Sequence, residues 1–423
     1  MICAVPVLRT KVRWAEYGEL ATLFFLQMMA VGIWMVPLSR VLEAHGLGQI
    51  RSLAYATSAV AAFVSPLVFG ATADRHASPV RVLRWLAGAS AGTLALSSWS
   101  IGQRWPAALV LTLIQVYAIC GAPASSLATT IVFSRLRDSQ REYGPVRASA
   151  TVGWMCGCWL VSALNADTSI AAGYLGAAIW LALAAFTFLL PSVPPPPTGG
   201  RVSFRELMGW DALALLKNPD HRVVFITTAL YSIPLAAFYP FTPPQLQELG
   251  FQHTSAWMSL GQVTEIIAMF ALATLFAQWR LKWIFSAGLA FGIIRFLLCA
   301  VQGPAWLLAG VTLHGFSFTL FFITAQIYLN ERIEAAWRAR AQALMTLMSS
   351  GVGNLFGYLG TGLWFGVCSQ PHGTRWPLFW NGLAGAVACV TLYFLTAYHG
   401  QGGGLKREKH GERQSDTSKA AGA

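Results

Sequence analysis

The sequence is short of charge. Only 11% of its 423 residues are Asp, Glu, Lys or Arg, where a soluble domain carries about a quarter. Acidic residues are scarcest, 17 against 29 basic, for a formal net charge of +12. Signatures of catalysis are missing as well: no Ser/His/Asp set, no phosphate-binding glycine loop and no cluster of metal ligands can be picked out. Seven cysteines are present, but Cys156-x-Cys158 has no second pair to complete a metal site. Small residues packing between helices are the simpler account. These shortages exclude a soluble enzyme and a disordered tail protein. They also exclude a nucleic-acid module, which would gather its charge on one face or stripe.

Apolar residues are abundant instead, at 55% of the chain with a mean hydropathy of +0.53. A bilayer core about 30 Å thick takes about 20 mostly apolar helical residues. Twelve stretches qualify: Glu19 to Leu42, Leu53 to Ala73, Val80 to Ser100, Pro106 to Phe133, Pro145 to Leu164 and Ser169 to Leu190, then Val223 to Phe241, Ala256 to Gln278, Leu281 to Val301, Ala305 to Leu329, Ala341 to Phe365 and Trp376 to Tyr398. The first is too long for a cleavable signal and lacks a convincing cleavage site. An N-terminus placed inside puts 23 of the 29 basic residues on that side, which predicts both termini in the cytoplasm. Tryptophans near span ends, such as Trp99, Trp105, Trp279, Trp283 and Trp306, fit interfacial anchoring.

The expected organisation is all-α and integral to the membrane. A cytoplasmic N-terminus (1–18) precedes a six-helix bundle (19–190), a cytoplasmic loop (191–222) containing Pro194 to Pro197, a second six-helix bundle (223–398) and a disordered cytoplasmic tail (399–423). A weak repeat supports the halves, since the turns ending in Asp74-Arg75 and Trp279-Arg280 follow spans 2 and 8. Parallel-repeat transporters are built this way.

An ionisable group within a span is expensive and therefore a functional candidate. Glu265 in span 8 is the one carboxylate deep in a span. A desolvated carboxyl there could load and unload a proton; alternatively it is a structural residue paired with Arg295, at similar depth in span 9. Gln262 shares its helix face, three positions earlier. Gln27 and Trp34 share a face of span 1. In span 5, Arg147, Thr151 and Trp154 fall at i, i+4 and i+7, one stripe offering a guanidinium, a hydroxyl and an indole. That combination suits a polar ring compound, although Arg147 could instead snorkel to the interface. His314 in span 10 is the single intramembrane histidine, either a proton relay or a helix-to-helix hydrogen bond. The glycines of span 11, among them Gly353, Gly357 and Gly360, read as close helix approach.

Several of these motifs carry a resemblance. Pro66-x-x-x-Gly70-x-x-x-Asp74-Arg75 resembles the gating signature of the major facilitator superfamily. Leu26-Gln-Met-Met-Ala-Val-Gly32-Ile-Trp34, Tyr143-Gly-Pro-Val-Arg147-x-x-x-Thr151-x-Gly153-Trp154, Ser259-Leu-Gly-Gln262-Val-Thr-Glu265 and the run from Leu313 to Tyr328 are similar to its bacterial nucleoside–proton symporter branch. The resemblance implies the twelve-helix major facilitator fold and nucleoside uptake driven by an inward proton gradient. It implies substrate contacts at Arg147, Thr151, Trp154, Gln262 and Glu265, and gating by Gly70, Asp74 and Arg75; proton coupling at Glu265 rests on its depth in span 8. Two positions depart from the branch. Thr319 stands where an aspartate is usual, and Pro240 to Pro244 stand where an amide is usual.

The expectation is a proton-coupled symporter moving a nucleoside by alternating access, with Gln27, Trp34 and His314 as further site residues. It would need no cofactor beyond the proton gradient and would bind no metal or nucleic acid. It is expected to work as a monomer in a bacterial inner membrane. A sugar or glycoside symporter shares the arginine and tryptophan stripe. A membrane sensor that binds without transporting is the alternative of a different class.

Overall fold

The computed structural model describes residues 14–73, 78–136, 139–191, 210–371 and 373–400. A helix stands at each of the twelve expected spans. Apart from one antiparallel pair, Ser369–Gln370 with Gly373–Thr374, the regular structure among these residues is helical. Seven helical stretches are long and apolar enough to cross a membrane by length and composition alone, and Ala171–Phe186 is apolar but shorter. Span 3 (Pro79–Gly102) is less apolar because it holds Ser97, Ser98 and Ser100. Each of these hydroxyls returns to a carbonyl three or four residues earlier, so no polar group is offered to lipid. Large side chains such as Phe270, Leu363 and Val367 are exposed, as lipid-facing positions require.

Several spans break where the sequence predicts continuous helix. Span 1 runs as Trp14–Met35 and then Leu38–Ala44, interrupted at Pro37. Span 10 is assembled from Pro304–Thr312, His314–Phe318, a π-helical turn at Thr319–Ile323 and Thr324–Arg332. Span 11 holds a second π segment, Leu347–Gly353, between Ala335–Thr346 and Asn354–Cys368.

Several expected boundaries move outward, the start of span 1 to Trp14 and of span 11 to Ala335 among them, and two more bear on the polar residues. Span 5 begins at Ser139, six residues before the expected Pro145, and runs to Ala163. Its first turns are polar and give no hydropathy signal. Span 7 continues past Phe241. It comprises Pro219–Leu235 and Phe238–Glu248, with Pro243 and Pro244 inside the second helix. A proline at 243 cannot donate to the carbonyl of Tyr239. The Tyr55 hydroxyl, which donates to Met35 O at 2.8 Å, also reaches Tyr239 O at 3.4 Å and partly replaces the lost bond.

The chain forms two compact units. One contains Met1–Gly200 together with Tyr239–Gln262; the other contains Arg201–Phe238 and Val263–Ala423. The ends of spans 7 and 8 thus belong to the unit built from the first half of the sequence.

Candidate functional site

In the first unit span 5 lies directly against span 1, and glycines make the approach possible. A Cβ on Gly153 would come within 2.9 Å of the Phe25 backbone, and one on Gly157 within 2.8 Å of Met29 O. The stripe Arg147, Thr151, Trp154 rides on this helix. Because span 5 starts at Ser139, Arg147 lies two turns inside the helix. Its guanidinium stands 6.0 Å from the ring of Phe24 in span 1. Thr151 is buried. The Trp154 indole rests on Gly32, where a Cβ would meet the ring at 3.2 Å.

Tyr239 joins this stripe to span 8. Its ring centroid is 5.7 Å from that of Trp154, and its hydroxyl accepts from Gln262 Nε2 at 3.4 Å. Gln262 is only 4% exposed. Two buried polar atoms then have no partner among the described residues: the donor Trp154 Nε1 and the acceptor Gln262 Oε1. Buried polar groups are satisfied as a rule, and exceptions mark functional positions or bound molecules. An aromatic face with one donor and one acceptor beside it suits a flat, hydrogen-bonding ring. Sequence reasoning missed Tyr239. The signal was an aromatic residue with a polar tip at the edge of the proline cluster.

In the second unit Glu265 is half-buried on the helix Leu260–Gln278 that also carries Gln262. Next to it, the Thr264 hydroxyl donates to the carbonyl of Thr312 in span 10. Arg295, fully buried at 0% exposure, donates from Nη1 to His314 Nδ1 at 2.7 Å. Its guanidinium stands 4.4 Å from the ring of Phe238 and 4.9 Å from that of Phe296, and His314 stacks on Phe238 at 4.3 Å. A guanidinium only donates, so Nδ1 accepts and the imidazole carries its proton on Nε2.

Gln27 donates to the Ser125 hydroxyl at 3.0 Å, and Trp34 packs against Gly173 of span 6. Gly70 belongs to the helix Arg51–Ala73, whereas Asp74 and Arg75 lie outside the described residues. Thr319 is fully buried at the start of the π turn, its hydroxyl without a partner among the described residues. In span 11, Gly353 and Gly357 do mark close approach, to Ala229 and Ile233 of span 7, while Gly360 has open space. Glu16 and Glu19 at the mouth of span 1 are both held by Arg135, at 3.5 and 2.7 Å.

Comparison with known proteins agrees with this architecture. The family described as Nucleoside H+ symporter matches residues 17–401. YegT of Escherichia coli K12, provisionally a nucleoside transporter, is 31% identical over 361 residues, covering 81% of this chain and 82% of its own. The nucleoside permease NupG of the same organism is 24% identical over 90% of this chain and 95% of its own. A crystal structure of a NupG variant superposes with a TM-score of 0.83 at 25% identity, covering 91% of this chain and all of that one. The fold is therefore the twelve-helix major facilitator fold with two six-helix halves.

Proposed function

The chain belongs to the nucleoside H+ symporter family, and from that premise we propose that it takes up nucleosides together with protons by alternating access. The observation that carries the substrate reading is the Trp154–Tyr239–Gln262 cluster, with its aromatic face, one buried donor and one buried acceptor. A nucleobase stacks on such a face, and an N–H, carbonyl or ribose hydroxyl answers each polar atom. Arg147 and Thr151 extend the same stripe along span 5. Nucleosides are uncharged, so hydrogen bonds and stacking suffice to hold them.

Glu265 is the proton carrier in this reading. A carboxyl within a membrane-spanning helix is easier to carry between two faces when neutral, which ties proton loading to the conformational exchange. Arg295 supplies a fixed positive charge, and His314, as its acceptor, is not free to take a proton on Nδ1 while that bond stands. Thr319 is neutral, so Glu265 is the carboxyl that titrates in this reading. The motif residues Gly70, Asp74 and Arg75 act in gating. Both termini are cytoplasmic, as the bias of basic residues directs, and one chain in a bacterial inner membrane is a complete transporter.

Flux into proteoliposomes tests this directly. Labelled uridine should accumulate when the external face is acidified, and other nucleosides should compete. Competition by sugars but not nucleosides would replace nucleosides with glycosides as the substrate class. Binding without flux would make the protein a sensor.

A further inference from the structure

Within the first unit, four polar contacts fasten the end of span 5 and the link after it to the start of span 8. The indole of Trp159 donates from Nε1 to the Ser259 hydroxyl at 2.9 Å. The Ser162 hydroxyl accepts from the Ala256 amide at 3.0 Å. Asp167 Oδ1 accepts from the Ser255 amide at 2.7 Å and from the Thr254 hydroxyl at 3.2 Å. The two strands of chain run in opposite directions, so 159, 162 and 167 meet 259, 256 and 254–255 in turn.

The burial of this seam is unusual for a loop. Ser162, Asp167, Thr254, Ser255 and Ser259 are all buried. The first amides of a helix have no partner within it. The short helix Thr254–Met258 gets no cap from its own preceding side chain, His253. Its free amides are met instead by residues about 90 positions earlier in the sequence. A carboxylate at a helix start also meets the positive end of the helix dipole. The seam leads to the candidate site: Ser259 lies one turn from Gln262, and Trp159 lies five residues beyond Trp154.

We propose that Asp167, Ser162 and Trp159 form a latch that holds the site shut at the end of the bundle away from the chain termini. Their strength sets how often that end opens. Each contact is a hydrogen bond that water can replace, so the latch is reversible: parting the seam exposes amides and a carboxylate that solvate readily. It is a set of positioning residues, since none of them belongs to the cluster that binds substrate. Asp167 is the centre of the latch, because one oxygen serves two donors.

A thiol at position 255 reports the opening. The Ser255 hydroxyl is buried without a partner among the described residues, and its latch contact uses the backbone amide. Ser255→Cys therefore leaves all four contacts in place. In detergent or membranes, N-ethylmaleimide should modify S255C slowly, and adding Asp167→Ala or Ser162→Ala should raise the rate about tenfold, in proportion to the open fraction. Asp167→Asn keeps an acceptor at Oδ1 and should fall between the parent and D167A. Cys158, buried in the helix that carries Trp159 and Ser162, should show no acceleration in the variants that lack S255C. Equal S255C labelling rates in D167A, S162A and the parent would overturn the latch. So would parallel acceleration at Cys158, which would mean general loosening. If D167A does not fold, S162A and Trp159→Phe carry the same test. The readout needs no substrate, so it stands or falls separately from the nucleoside reading.

Discussion

Two helix glycines should respond to alanine with opposite signs. At Gly153 a Cβ would sit 2.9 Å from the Phe25 carbonyl carbon and Cα, and closer still to the carbonyl oxygen. Those atoms are backbone and cannot rotate away, so spans 1 and 5 must part by about 0.5–1 Å to restore ordinary contact. Overpacking of this kind costs about 1–3 kcal/mol, and an unyielding neighbour places Gly153→Ala toward the upper end. The gain in helix propensity returns about 0.8–1.0 kcal/mol, leaving a net loss of about 1–2 kcal/mol. At Gly92, inside the helix Pro79–Gly102, no atom of another helix lies within 4 Å of the added carbon. Gly92→Ala therefore keeps the propensity gain of about 0.8–1.0 kcal/mol without the cost. Thermal unfolding of the purified variants in detergent, followed by size-exclusion fluorescence, should give a lower midpoint for G153A and an equal or higher one for G92A. Uridine uptake should fall with G153A, because Thr151 and Trp154 flank the displaced residue, and stay level with G92A. A G153A protein that melts at or above the parent temperature with unchanged uptake would refute the argument that this glycine sets the spacing of spans 1 and 5.

Further perturbations address the site. Glu265→Gln should abolish accumulation against a gradient while retaining equilibrative exchange, measured as the steady-state uridine ratio under an imposed pH difference; undiminished uphill uptake removes Glu265 from the coupling. Tyr239→Phe takes away the oxygen that receives Gln262 Nε2. A hydrogen bond worth about 1 kcal/mol makes the expected rise in uptake KM about fivefold with little change in maximal rate, and an unchanged KM would exclude Tyr239 from positioning the amide. Arg295→Lys keeps the charge but loses the flat guanidinium that lies on Phe238 and Phe296. Its melting temperature should drop clearly in detergent, and a parent-like melt would show that charge alone suffices there.

Much of the fold could be read before any coordinates. A span is a matter of length and hydropathy, both local, and all twelve expected positions hold helix. The edges were less legible because they depend on residues that hydropathy does not weigh. Pro145 suggests a helix start, yet the polar turns from Ser139 come first. The prolines after Tyr239 suggest an end, yet the helix runs on to Glu248 while Tyr55 reaches the carbonyl that Pro243 cannot serve. The stripe on span 5 followed from helical spacing, as did the shared face of Gln262 and Glu265. Tyr239 could not, since its partners Trp154 and Gln262 lie on other helices. A helix-to-helix hydrogen bond at His314 was expected, but its partner Arg295 was not, because two residues 19 apart on successive spans share no periodic relation. Gln27 and Trp34 show the converse: one face of a helix by spacing, but separate neighbours in Ser125 and Gly173.

The π turn at Thr319–Ile323 changes how span 10 keeps its angular phase. Each residue of an α-helix advances the side-chain direction by about 100°, so one residue of slack taken up in a wider turn rephases everything after it. His314 lies before the turn and reaches Arg295; Tyr328 lies after it and meets His221 Nδ1 at 2.7 Å. One helix thus aims two groups along directions that a uniform helix of the same sequence would not hold together. Removing a single residue between 319 and 323 would take up that slack and straighten the turn while both groups keep their directions. Sliding the turn by a few residues would rotate the intervening side chains while both helix ends stay in place.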